Sequence, residues 1–154
     1  MRFVYDDGGR KDAGYKGSAG DCLARSLAIA AQIPYTDAYA LINDHASKER
    51  RSKGRSSARN GVYAPTAKKV LAALGWEWVP TMGIGVGCRV HLTPDELPAG
   101  RLVVRLSKHF TAVVDGVIRD TFDPNDREVW YTPDGTPINA GPRCVYGYWR
   151  KGGE

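Results

Sequence analysis

A cysteine, a histidine and an aspartate, set far apart in the chain, are the side chains best suited to covalent catalysis. Cys22 stands in Gly20-Asp-Cys-Leu-Ala-Arg-Ser-Leu-Ala-Ile-Ala-Ala31, where a Gly-rich, polar approach gives way to strong helix formers. A thiol in a first helical turn feels the positive end of the helix dipole, which favours thiolate over thiol. Downstream, His109-Phe-Thr-Ala-Val-Val-Asp-Gly-Val-Ile-Arg-Asp-Thr-Phe-Asp-Pro124 reads as two strands joined at Asp115-Gly116, a strong two-residue hairpin signal. Thiol, imidazole and carboxylate on helix, strand and strand are the parts of a cysteine hydrolase.

The turn fixes a register. Val114 faces Val117, Thr111 faces Asp120 and His109 faces Phe122. Side chains alternate between faces, so His109, Thr111, Asp120 and Phe122 share one. His109 and Asp120 are then diagonal neighbours within reach of an imidazole–carboxylate hydrogen bond. Asp123 falls on the other face. A one-residue bulge would reverse that preference, which makes Asp123 the reserve acid. In this scheme Cys22 is the nucleophile, His109 the general acid and base, and Asp120 the group that orients the imidazole. Backbone N–H groups at the start of the Cys22 helix are the expected oxyanion site, flanked by Ser18, Gly20 and Asp21.

The positioning elements can be read from periodicity and turn chemistry. Met1–Tyr5 reads as a short strand and Asp6–Gly20 as loop. A helix over Asp21–Gln32 carries Leu23 and Leu27 on an apolar stripe, which predicts a central, buried element. Thr36 is the expected cap of a second helix over Asp37–Lys48. Pro65 predicts the first turn of a third, Thr66–Leu74, ending at Gly75. Trp76–Pro80 alternates as a strand. Strands are also expected over Arg101–Leu106, His109–Val114, Val117–Phe122, Val129–Tyr131 and Arg143–Trp149. Glycines at 83, 85 and 87 make no phosphate loop, because neither a helix former nor Gly-Lys-Ser/Thr follows. The expectation is one α+β domain over 1–154, its N-terminal helices packed on a C-terminal antiparallel sheet.

Bulk properties narrow the class. The chain has 154 residues, 42% hydrophobic and 25% charged, the profile of an ordinary globular domain. No apolar run approaches the roughly 20 residues of a membrane span, so no membrane partner is expected. The N-terminal residues have no apolar core of a secretory signal, which predicts a cytoplasmic location, in a host cell if a phage encodes the chain. Three widely spaced cysteines, Cys22, Cys88 and Cys144, match neither a zinc signature nor a disulfide framework. Free thiols in a reducing compartment are expected, with a Cys88–Cys144 bridge as the alternative. No cofactor is expected. A three-ligand zinc site from Cys22, His109 and Asp120 is a lesser option. His45 and His91 have no obvious partners.

The net charge is +5, and much of the excess lies in residues 47–60. There Lys48, Arg50, Arg51, Lys53, Arg55 and Arg59 face one acid, Glu49. A solvated loop is the ordinary reading of such a run. The same charges could hold a nucleic-acid backbone or an acidic protein surface. Trp76, Trp78, Trp130, Tyr146, Tyr148 and Trp149 are read as core or sheet packing rather than as a cleft lining.

Asp21-Cys22, His109-Phe-Thr-Ala-Val113 and Asp120 or Asp123-Pro124 together resemble the papain-like cysteine peptidase superfamily. The likeness is nearest its small members of the bacteriocin leader-peptidase type and related phage and bacterial proteins. The resemblance implies a nucleophile helix packed on a sheet that carries the histidine and acid. It implies cleavage of a peptide or isopeptide bond in a peptide or protein substrate, or acyl transfer by the same groups. In the family an amide side chain usually precedes the cysteine; Tyr15, Lys16, Gly17 and Ser18 stand there instead. The competing classes are a nucleic-acid-binding accessory protein using the basic run, and an interaction protein in which Cys22 is structural.

Overall fold

A computed structural model describes residues 1–17, 19–49 and 56–152. The elements are β1 (Arg2–Tyr5), α1 (Cys22–Ala31), α2 (Tyr35–Ser47), α3 (Ala64–Ala73), β2 (Trp76–Pro80), β3 (Arg101–Leu106), β4 (His109–Val114), β5 (Val117–Asp120) and β6 (Gly147–Lys151). The class is α+β, as the order of helical and strand patterns implies.

Apolar patterning places α1 at the centre. Leu23 through Ala30 are all buried, including Arg25 and Ser26. The helix lies against β4 with β3 and β5 beside it, and α2 packs on its other side. It ends with Gln32 in the left-handed region, just before Pro34. The second helix begins at Tyr35, with Pro34 rather than Thr36 in the capping position. Pro34 pre-sets φ for helix entry, and Thr36 is drawn inside the first turn. Pro65 lies in the first turn of α3, as its fixed φ favours.

The six strands form one sheet in the order β1-β5-β4-β3-β6-β2. It is mixed rather than antiparallel, because β1 joins β5 in parallel, Phe3 beside Ile118. It also recruits β1 from the N-terminal end and β2 from mid-chain, so the sheet is not purely C-terminal. The hairpin register follows the turn: Val114 opposite Val117, Val113 opposite Ile118, Ala112 opposite Arg119. Asp115 and Gly116 both have positive φ, 48° and 78°, the geometry a two-residue turn between twisted strands requires.

Both faces of the sheet are covered. Phe110, Ala112, Val103 and Trp149 meet Leu23, Leu27, Ile42 and Val70 in the helical layer. Leu102, Val104, Val113 and Ile118 pack with Leu92, Leu97 and Val145 in a second core. This second layer displaces two expected strands. Residues 143–145 turn away to bond residues 90–92, through Leu92 N–H to the Arg143 carbonyl and Val145 N–H to the Val90 carbonyl. The last strand therefore starts at Gly147 rather than Arg143. Val129–Tyr131 makes only an isolated bridge, Tyr131 to Pro137, with Trp130 and Tyr131 exposed. Four prolines between 124 and 142 withhold the donors a continuous strand would need.

Cys88 and Cys144 form a disulfide with Cα atoms 5.8 Å apart, which corrects the expectation of three free thiols. Proximity in the second core, not sequence spacing, brings them together. Cys22 is the free cysteine. Closing 56 residues of unfolded chain is expected to add about 4 kcal/mol of stability. Urea denaturation with and without reductant checks this. A midpoint that does not move on reduction, in protein whose free-thiol count rises from one to three, would show the bridge to be thermodynamically idle. Among the described residues no helix is long and apolar enough to cross a membrane.

Candidate active site

The site lies where three elements end together. Cys22 opens α1, His109 opens β4, and Asp120 closes β5. The hairpin register brings His109 and Asp120 to the same end of the sheet, and the packing of α1 on β4 brings the thiol to them. His109 Nε2 hydrogen-bonds Asp120 Oδ2 at 2.7 Å. The same carboxylate oxygen accepts from the Thr111 hydroxyl at 2.7 Å. Its other oxygen accepts from the Thr121 N–H at 2.7 Å. The Cys22 thiol borders the imidazole in the same cleft and contributes to holding its proton. Since Nε2 is committed to Asp120, Nδ1 is the ring nitrogen left for Cys22.

Asp123 is not part of this constellation. Its carboxylate accepts the Asn125 N–H at 2.9 Å in a local turn, so no bulge carries it to His109. Phe122 stands beside the imidazole instead, with ring centroids 4.9 Å apart.

Sequence reasoning missed a buried charge network behind the site. Asp21 holds the capping position of α1 but makes no side-chain cap. One of its oxygens pairs with Arg25 Nη1. The other accepts from the Tyr35 hydroxyl at 2.6 Å and lies 3.2 Å from Arg10 Nε. Arg25 also reaches Asp120, 3.4 Å from Nη2 to Oδ1. Arg25 thus ties the start of the cysteine helix to the acid on β5. The available signals were an arginine inside an otherwise apolar helix stripe and its spacing of four from Asp21.

Burial alone would lower the His109 pKa. The hydrogen bonds to Asp120 and Cys22, and the charges of both, outweigh it and raise the value to about 9. Burial likewise pushes Asp120 upward, but its bonds to His109, Thr111 and Thr121 hold it below the ordinary carboxylate value. Burial and the neighbouring Asp21 carboxylate push the Tyr35 hydroxyl up, so it stays a donor. These shifts fix a pH dependence of stability. The His109 contribution is fully present below its ordinary pKa of 6.5 and is lost as pH rises through about 9. The Asp120 contribution has the opposite sense and is lost as pH falls through its lowered pKa. The stability advantage of wild type over His109→Gln should therefore shrink between about pH 6 and pH 9.5. An advantage that stays flat in urea titrations over that range would contradict it.

Cys22 and His109 line a cleft of about 590 Å³. Residues 60–64, entering α3, form one wall; Arg105, Leu106, Lys108, His109, Phe110 and Phe122 form the other. Gly20 sits against the first wall, since a Cβ there would lie 3.2 Å from the Asn60 carbonyl oxygen. Its role is this close approach. Asp21 lines the cleft, and its side chain offers only acceptor oxygens, both engaged, so a donor from this residue is its backbone N–H. Ser18 lies outside the described residues, as do Arg50, Arg51, Lys53 and Arg55 of the basic run.

The described part of that run is tied down. Lys48 pairs with Asp44 on the surface, and Glu49 accepts from Thr66. Ser56 and Ala58 are buried, and the end of the segment reaches the cleft at Asn60. Arg59 is partnered. His91 pairs with Glu96 at 3.3 Å, contrary to its reading as partnerless. None of the six aromatic residues of 76, 78, 130, 146, 148 and 149 lines the cleft; Trp76 and Trp149 are core. Among the described residues no group of three His, Cys, Asp or Glu side chains could hold a metal ion.

Comparison with protein-family models, with curated proteins and with solved structures finds no match for this chain.

Proposed function

We propose that the chain is a cysteine hydrolase of papain-like type, cleaving a peptide or isopeptide bond with Cys22, His109 and Asp120. One observation carries the reading. A free cysteine in the first turn of a buried helix and a histidine bonded to a buried aspartate meet at an open cleft.

The roles follow from the surroundings. His109 as imidazolium stabilises the Cys22 thiolate. The thiolate attacks the substrate carbonyl carbon and forms a C–S bond while the carbonyl electrons move to oxygen. The oxyanion meets the first-turn N–H groups of α1, which Asp21 leaves uncapped. Arg10 and Arg25 offset the negative charge that Asp21 would otherwise present there. Collapse breaks the C–N bond, and His109 gives its proton to the departing amine. The neutral imidazole then takes a proton from water, which attacks the thioester. The acid leaves and the thiolate–imidazolium pair returns. Asp120 fixes the tautomer and orientation of His109 throughout.

The test is peptide-terminus profiling by mass spectrometry of a mixed-proteome peptide library incubated with wild type and with Cys22→Ala. Wild type is expected to create new amino termini that the variant does not. Identical termini from both proteins, across libraries of differing composition, would remove the hydrolase reading.

A further inference from the structure

Among the described residues, two cations that line the cleft have no counter-ion within ion-pair distance. Arg105 and Lys108 line it together with Cys22 and His109. Among the described residues neither is in an ion pair. The Arg105 guanidinium lies 5.5 Å from the centre of the Tyr146 ring, a neutral partner. Among the described residues Asp21 is the one carboxylate lining the cleft, and both its oxygens are already engaged by Arg25, Tyr35 and Arg10. The cleft mouth beside the imidazole is therefore positive.

Lys108 is also costly where it stands. It has φ 56° in the turn between β3 and β4, a region glycine or asparagine occupies with less strain. The chain places an exposed lysine there, directly before His109. Its position relates to the chemistry through His109. The group that protonates the leaving amine must sit on the leaving-group side. Arg105, opposite Phe110 across β3 and β4, and Lys108 flank that group.

We propose that Arg105 and Lys108 form a carboxylate subsite, so that the hydrolysed amide carries an acidic group in its leaving half. This inference rests on the hydrolase reading and narrows its substrate. The carboxylate can be an acidic side chain or the free terminus of the released piece, since both present the same two acceptor oxygens.

Two small electrophiles of opposite character test it in the full chain. Iodoacetate carries a carboxylate and iodoacetamide is neutral. The rate ratio of the two at Cys22, divided by the same ratio for a free thiol, isolates anion attraction. The His109 imidazolium contributes to that ratio in every variant, so the readout is the change on substitution. The double variant Arg105→Gln, Lys108→Asn should lower the ratio on the order of tenfold at low salt. Lys108→Asn alone should lower it several-fold, and asparagine fits the turn should Arg105→Gln fail to fold. Three dipeptides then separate the sources by slowing iodoacetamide in wild type. Gly-Glu amide offers a side-chain carboxylate, Gly-Gly a terminal one, and Gly-Gly amide neither. Greater protection by one of the first two, lost in the variant, identifies the source. An unchanged ratio in the variants, or no protection beyond that of Gly-Gly amide, overturns the subsite while leaving the hydrolase intact. A Cys22 inert to both electrophiles would instead overturn the hydrolase reading itself.

Discussion

At pH 6, iodoacetamide is expected to alkylate Cys22 in wild type on the order of a hundredfold faster than in His109→Ala. An ordinary thiol, with a pKa of about 8.5, is only about 0.3% thiolate at that pH. Retained reactivity requires a partner that keeps the thiolate charged. His109 is placed to be that partner, because its own pKa is held at about 9 by Asp120 and Cys22 despite burial. The imidazolium therefore persists over the range in which a lone imidazole would have lost its proton. The gap between the two proteins should close toward pH 9, where the imidazolium is lost in wild type. Mass spectrometry of the Cys22 peptide gives both rates directly, and the Cys88–Cys144 bridge keeps the other two cysteines out of the count. Matching rates at pH 6 would mean that Cys22 and His109 are neighbours without being a catalytic pair.

The second large effect is expected at Arg25. Replacement by methionine keeps length and apolar bulk but removes the cation between two buried carboxylates. Asp21 and Asp120 are only 2% and 3% exposed, so neither can turn to water for compensation. Arg10 remains 3.2 Å from Asp21 and His109 remains on Asp120, which limits the loss. Breaking a buried ion pair by removing one partner typically costs about 3–5 kcal/mol, and Arg25→Met should fall in that range. The m-value in urea should stay constant while the midpoint drops. A loss below about 1 kcal/mol would show that the network relaxes around the gap and that Arg25 is dispensable to the fold.

The arginine also shows why part of the site was out of reach of local reasoning. Its contact to Asp120 spans residues 95 apart in sequence, and nothing near Arg25 points to the far partner. Tyr35 and Arg10 converge on Asp21 in the same way, from a helix start and a loop. Asp21 stands in the capping position of α1, yet its carboxylate is engaged by tertiary partners and not by the helix N–H groups. Local preference for capping is worth about 1 kcal/mol, less than the cost of leaving Arg25 buried without a counter-ion.

Local rules did determine the hairpin. Asp115-Gly116 accepts positive φ, the turn sets the register, and the period of two puts Thr111 and Asp120 within 2.7 Å. The same reasoning preferred Asp120 to Asp123, and the apolar stripe of α1 announced a buried helix beginning at Cys22. Tertiary structure alone decided the rest: the parallel seat of β1, the second core that pairs Cys88 with Cys144, the cleft wall at residues 60–64, and the reach of Arg25. Turns and periodic faces depend on neighbours a few bonds away, so composition and spacing encode them. Which surface covers which face depends on burying the largest apolar area while every interior charge finds a partner, and that balance is struck only when the whole chain is folded.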